Sequence, residues 1–195
     1  MISLDRESWW VLDVTLLKQF IALLVVASLL AFGAYLFYFV KTHRGYDVPS
    51  SGMEPTILKD ERIVVDAYAY DSAEPRRGDV VIIQHKPENL FMVKRVVAIG
   101  GDTIEAHHAH VLLNGQELDE PYIQHVNKIA VVRFMNDFGP VKVGPRQLFV
   151  MGDNRDIAYD SRQPEFGLVP TSELRGKLLT IGFSGTLSRI GKEVH

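Results

Sequence analysis

Hydrophobic positions are distributed unevenly along this chain. From Phe20 to Val40 it reads FIALLVVASLLAFGAYLFYFV, 21 residues without a charge. As a helix rising about 1.5 Å per residue, this run matches the roughly 30 Å hydrocarbon thickness of a bilayer. Trp9 and Trp10 precede it and Tyr35 and Tyr38 lie near its far end, where amphipathic rings favour the membrane interface. Lys18 and Lys41 flank it. A cleaved signal sequence has a shorter apolar stretch followed by small residues, whereas this run continues into bulky aromatics. The pattern therefore predicts an uncleaved anchor over residues 20–40. Residues 1–19 precede it, 41–47 form a juxtamembrane linker, and 48–195 form a separate domain.

Past Gly45 the period changes from helical to alternating. Short Val- and Ile-rich runs separated by Gly, Pro, Asn and Asp predict strands at Arg62–Asp66, Asp79–Gln84, Phe91–Ile99, Thr103–Ala106, His110–Leu113, Ala130–Met135, Gln147–Met151 and Leu178–Phe183. Asn114-Gly115, between VLL and QEL, signals a two-residue hairpin. The expected fold is mostly β: an antiparallel sheet or barrel-like domain on one N-terminal transmembrane helix.

Composition narrows the chemistry. There is no cysteine, which excludes disulfides, thiolate catalysis and cysteine-built metal centres. Basic and acidic residues nearly balance, 21 against 24, so nothing marks a nucleic-acid partner. The basic residues flanking the apolar run, Arg6 and Lys18 against Lys41 and Arg44, leave its orientation undecided.

Three segments can carry chemistry. The first is Val48-Pro49-Ser50-Ser51-Gly52-Met53-Glu54-Pro55-Thr56-Ile57, which by composition alone is a loop. The second is Lys94 in FMVKRVVAI, where alternation places it on one face with Met92 and Val96. Such a lysine either snorkels from an edge strand or, if buried, loses its proton and serves as a general base. The third is GDNRDIAYDSR, Gly152 to Arg162, whose alternating acids, amide and guanidinium groups predict a loop of paired charges. Arg155 and Arg162 argue against a metal among Asp153, Asp156 and Asp160, and the spacing is not that of an EF-hand. His107, His108 and His110 form a further cluster, which fits an exposed turn better than a metal site.

Together these segments resemble the type I signal peptidase (leader peptidase) family of Ser/Lys membrane proteases. The resemblance runs through PSSGMEPTI, RRGDVVII, FMVKRVVAIGGD, NGQELDEPYI and GDNRDIAYDSRQPEFGLVP, in the family's order and behind an N-terminal anchor. It implies that Lys94 is the general base, with Arg95 matching the basic residue that follows it. Ser50 matches a serine that completes the oxyanion hole. Val48, Pro49, Met53, Met92 and Val93 fall where the family lines its small P1 and P3 pockets. Asp153, Arg155, Asp160 and Arg162 match a loop that supports the site. The implied substrates are secretory preproteins with Ala-X-Ala ends, bound extended as an added strand. No cofactor and no metal is implied. The implied location is the bacterial inner or plasma membrane, with a short cytoplasmic N-terminus and the β domain exported.

Two positions depart from the family pattern. Aligned on Met-x-Pro-Thr, the nucleophile position is Gly52, which has no oxygen with which to form an acyl-enzyme. Ala158 stands where a second serine orients the lysine. Ser51 could substitute if a bulge at Gly52 re-aims it. Ser50 faces the right way but lies about 6–7 Å back along an extended chain. The sequence thus leaves two readings: a signal peptidase cleaving by Ser/Lys chemistry, or a catalytically impaired paralogue that binds signal peptides or assists an active peptidase. A self-cleaving repressor shares the chemistry but would carry a DNA-binding module in place of the anchor.

Overall fold

A computed structural model describes residues 8–86, 89–123 and 137–194, with helix side chains from Val14 onward. The expected strand Ala130–Met135 and Arg6 lie outside the described residues. The chain divides into two compact units at Thr42 and His43.

The first unit is helix α1, Ser8–Thr42. It starts before the expected span, because Ser8–Gln19 continues the same helix rather than forming a separate segment. Within it Val14–Thr42 has a mean hydropathy of 2.5 and none of its most apolar stretch is buried. A helix apolar on every side and uncovered by protein is a membrane-spanning helix rather than a core helix. Its hydroxyls turn inward: Ser28 Oγ donates to Leu24 O at 2.8 Å and Thr42 Oγ1 to Tyr38 O at 2.9 Å. That removes the cost of unpaired donors in hydrocarbon.

The second unit is mostly β. Its strands are β1 (His43–Asp47), β2 (Arg62–Asp66), β3 (Val80–His85), β4 (Leu90–Ile99), β5 (Thr103–His107), β6 (His110–Leu113), β7 (Gln116–Glu117), β8 (Phe138–Lys142), β9 (Gln147–Met151), β10 (Val169–Pro170) and β11 (Leu174–Phe183). They form a seven-stranded sheet, ordered β1-β2-β11-β3-β4-β9-β10, and a four-stranded sheet, ordered β7-β6-β5-β8. All pairings are antiparallel. Residues 43–47, expected as a linker, are strand β1, paired His43 to Asp66 through Asp47 to Arg62.

Burial explains the sequence of β3. Val80 and Ile82 enter one core cluster with Val48, Met53, Ile57 and Leu178, while Val81 and Ile83 enter another with Val96, Leu148 and Val150. Both faces are covered, so the strand reads as a continuous apolar run. The Asn114-Gly115 turn has φ of +53° and +79°, the two positive values a type I′ hairpin requires. Strand β11 starts four residues before the expected Leu178, because a bulge at Gly176, φ +145°, lets it re-pair with β3.

A C-terminal strap closes over one end of the larger sheet. Ile181 N–H donates to Lys192 O, Gly191 N–H to Ile181 O, and Val194 is buried in the cluster that holds Met53 and Ile57. From the strap, Arg189 Nε donates to Glu61 Oε1 at 2.6 Å and Nη2 to Thr56 O at 2.9 Å. The histidine cluster sits on the β5–β6 turn. There His107 and His110 are exposed and approach different acids, Glu105 at 3.5 Å and Glu117 at 2.6 Å.

Candidate active site

A cavity of about 390 Å³ opens beside β4. One wall is Tyr46 to Met53, the second is Leu90 to Lys94 with Ile82, and the third is Ile157 to Tyr159. Every residue that the resemblance placed at the nucleophile, base, oxyanion and pocket positions lines it: Val48, Pro49, Ser50, Ser51, Gly52, Met53, Met92, Val93, Lys94 and Ala158. Strand β4 pairs with β3 from Leu90 to Arg95, but with β9 only from Arg95 onward. From Leu90 to Lys94 its second edge is therefore unpaired among the described strands. An unpaired edge presents main-chain donors and acceptors to an incoming extended peptide.

Lys94 is buried, only 7% exposed. Loss of hydration holds its amine below the usual lysine pKa; Asp160 pulls it back up, Arg162 pushes it down and Asp153 pulls it up. The unfolded chain, with an ordinary lysine pKa near about 10.4, binds more protons than the folded one between the two pKa values, so stability rises with pH across that window. Lys94→Met removes the penalty. Thermal melts should show the variant more stable than the parent near neutral pH, with the difference shrinking as pH rises toward about 10.

Gly52 is buried and faces this amine. A Cβ built on it would lie 3.8 Å from Lys94 Nζ and 3.9 Å from both Cα and Cβ of Ala158. Position 52 can accept a side chain, yet it carries none. Ser51 is half-buried and Ser50 exposed on the same wall.

The loop after β9 holds this turn in place. Asn154 N–H donates to Gly52 O at 3.1 Å, and Asn154 Nδ2 donates to Ser51 O at 3.2 Å. Gly152 passes so close that a Cβ there would stand 2.4 Å from Gly52 O and 2.3 Å from Ala158 Cβ. Gly152→Ala should therefore cost about 1–3 kcal/mol by overpacking, and should weaken any ligand of the groove. Melting curves and a binding titration would check both.

The loop's charges are paired and buried. Arg95 grips Asp153 with Nε to Oδ1 at 2.9 Å and Nη2 to Oδ2 at 2.7 Å, and donates from Nη1 to Gly78 O at 2.8 Å. Thr56 Oγ1 donates to the same Asp153. Arg162 meets Asp160 with Nε to Oδ1 and Nη2 to Oδ2, both 2.9 Å, while Gly152 N–H donates to Asp160 Oδ2. Arg155 donates from Nε to Gly152 O at 3.1 Å and pairs with Glu120.

Sequence reasoning assigned no role to several of these partners. Glu120 and Tyr122 lie within the quoted segment NGQELDEPYI, and Tyr122 presents its ring 4.0 Å from the Arg95 guanidinium. Thr56 and Asn154 were inside quoted segments too, but nothing in their spacing showed that they cross-link them. Tyr46, Ile157 and Tyr159 complete the cavity walls and gave no signal beyond being apolar.

Fold and site thus define a β protein behind a spanning helix, with an open strand edge and a buried amine in one groove. Comparison with known proteins agrees. Residues 17–183 match the family described as "Signal peptidase, peptidase S26". Signal peptidase I of Bacillus licheniformis is 34% identical over 163 residues, 82% of this chain and 85% of that one. Signal peptidase I P of Bacillus subtilis subsp. natto is 35% identical over 134 residues, 67% of this chain and 72% of its own. A crystal structure of a signal peptidase I from Enterococcus faecalis V583 is 27% identical, covers 54% of this chain and 97% of that chain, and has a TM-score of 0.47. The chain belongs to the signal peptidase family, peptidase S26, as a homologue of bacterial signal peptidase I with an N-terminal membrane anchor.

Proposed function

We propose that this protein is a signal-peptide-binding member of the signal peptidase I family that does not itself cleave. One observation carries the reading: the buried position facing Lys94, where a Cβ would stand 3.8 Å from the amine, is a glycine. Gly52 stands at the family's nucleophile position, and Ala158 beside it lacks the hydroxyl that would orient the lysine. The binding apparatus is otherwise present. An extended peptide adds to the free edge of β4 between Leu90 and Lys94, with small side chains received by Val48, Pro49, Met53, Met92 and Val93. The exported domain meets secretory preproteins with Ala-X-Ala ends, and an active paralogous peptidase is the natural companion in that role.

A second reading has its own support. Ser50 and Ser51 line the same cavity as Lys94, and burial lowers the pKa of that amine. In this reading one serine attacks the scissile carbonyl, Lys94 accepts its proton and returns it to the leaving amine, and water hydrolyses the acyl-enzyme. The test is the full chain in detergent with a fluorescent preprotein whose signal peptide ends in Ala-X-Ala and is followed by the mature sequence. Binding without cleavage at any pH is expected. Cleavage by the parent that disappears in Ser51→Ala or Ser50→Ala would transfer the conclusion to the second reading.

A further inference from the structure

The turn that lacks a nucleophile holds two backbone donors in its place. Asn154 donates to the carbonyls of both Ser51 and Gly52, and Ser51 O also accepts from Glu54 N–H at 3.2 Å, so both carbonyls are engaged between the turn's own end and the 152–154 loop. These peptides are trans. A trans peptide directs its C=O and the following N–H oppositely. The N–H groups of Gly52 and Met53 are therefore turned away from that loop. Both residues are buried, and neither N–H donates to an acceptor among the described residues. Successive N–H groups turned to one side form a concavity that binds anions. The Lys94 amine borders the same space, 3.8 Å from where a Cβ on Gly52 would stand.

We infer that the Gly52–Met53 turn and Lys94 form a site for the C-terminal carboxylate of a peptide lying in the groove. The molecule held most tightly is then a released signal peptide, with an intact preprotein bound in the same groove but more weakly. This rests on the groove reading above and sharpens it. An intact preprotein presents a neutral carbonyl at this point and a chain that continues past it. A released peptide presents two oxygens and a negative charge. One oxygen accepts from the backbone donors, and the other takes the room that a side chain at position 52 would fill. Capture of a terminal carboxylate by such a backbone concavity is an established mode of peptide recognition.

Charge balance requires a proton. A carboxylate buried here must be paired. Asp160, Arg162 and Asp153 also act on Lys94, but Asp160 and Arg162 are bound to each other and Asp153 to Arg95. The ligand's carboxylate is thus the partner that favours the ammonium form of Lys94, and binding takes up protons wherever the pH lies between the free and bound pKa values of that amine. The reaction that supplies the ligand is hydrolysis of the amide bond after the signal peptide, performed by a different molecule.

The experiment uses the full chain in detergent and a short fluorescent peptide ending Ala-Gln-Ala, made once as the free acid and once as the carboxamide. The acid should bind about 10–100-fold more tightly near neutral pH, as charge-assisted hydrogen bonds imply. Its advantage should fall as pH rises through the bound-state pKa of Lys94. Lys94→Met, which should melt no lower than the parent, should bring the acid-to-amide ratio close to one. Equal affinity for the two peptides would overturn the carboxylate site while leaving the groove reading intact. An acid preference that survives in Lys94→Met would also overturn it, and failure of both peptides to bind would overturn both readings.

Discussion

Gly52→Ser should turn this protein into an endopeptidase. Loss of the nucleophile alone costs serine proteases several orders of magnitude, so restoring it should raise cleavage of an Ala-X-Ala preprotein by about ten-thousandfold or more over the parent. The argument is geometric. The Cβ of a residue at position 52 lies 3.8 Å from Lys94 Nζ, so a hydroxyl one bond further on reaches hydrogen-bond distance. The nearest atoms to that Cβ stand at 3.8 and 3.9 Å, ordinary contact, so the serine enters without displacing its neighbours. The amine beside it is held below its ordinary pKa, as a proton acceptor requires. Adding Ala158→Ser should increase the rate further by steadying the amine, and adding Lys94→Met should abolish it. A Gly52→Ser protein that binds peptide yet shows no cleavage would mean that the groove does not present the scissile bond at position 52.

The largest effect on stability should come from Arg95→Met. Arg95 and Asp153 are each 1% exposed and joined by two hydrogen bonds, and the same guanidinium holds Gly78 O and lies against the ring of Tyr122. Removing one partner leaves Asp153 charged and buried, which costs about 3–5 kcal/mol. At about 2–4 °C per kcal/mol for a chain of this size, the melting temperature should drop by roughly 6–20 °C. Pairing it with Asp153→Leu should recover much of the loss, because an apolar pair has no stranded charge to desolvate. A single variant that melts like the parent would show that water reaches Asp153 and that the site floor is not dry.

How much of this was legible before the structure depends on the kind of signal each element carries. Strands covered on both faces, such as Val80–His85 and Gln147–Met151, announce themselves as apolar runs, and the Asn114-Gly115 turn by its backbone requirement. Strand β1 reads HRGYD and β8 reads FGPVK. Both lie at sheet edges, where one flank is free and no apolar alternation is demanded, so neither has a pattern to read. Strand β10 is two residues long, too short for any period. At the site, the residues that meet in the cavity were found through ordered motifs. What joins those motifs was not: Asn154 on the carbonyls of Ser51 and Gly52, Thr56 on Asp153, and Glu120 on Arg155 are contacts between segments far apart in the chain. No local spacing encodes such pairings, because they are chosen by how three loops pack.

The strap from Arg189 to Val194 has a consequence for how the protein comes into being. Met53 and Thr56 emerge early in synthesis, but Val194 and Arg189, which pack against their turn and hold its carbonyl, emerge some 135 residues later. A nascent chain complete to residue 185 has all three walls of the groove and still lacks the clasp at one end. The turn at Met53 is therefore fixed late, by contacts that form only once the C-terminal strap has been made and has closed.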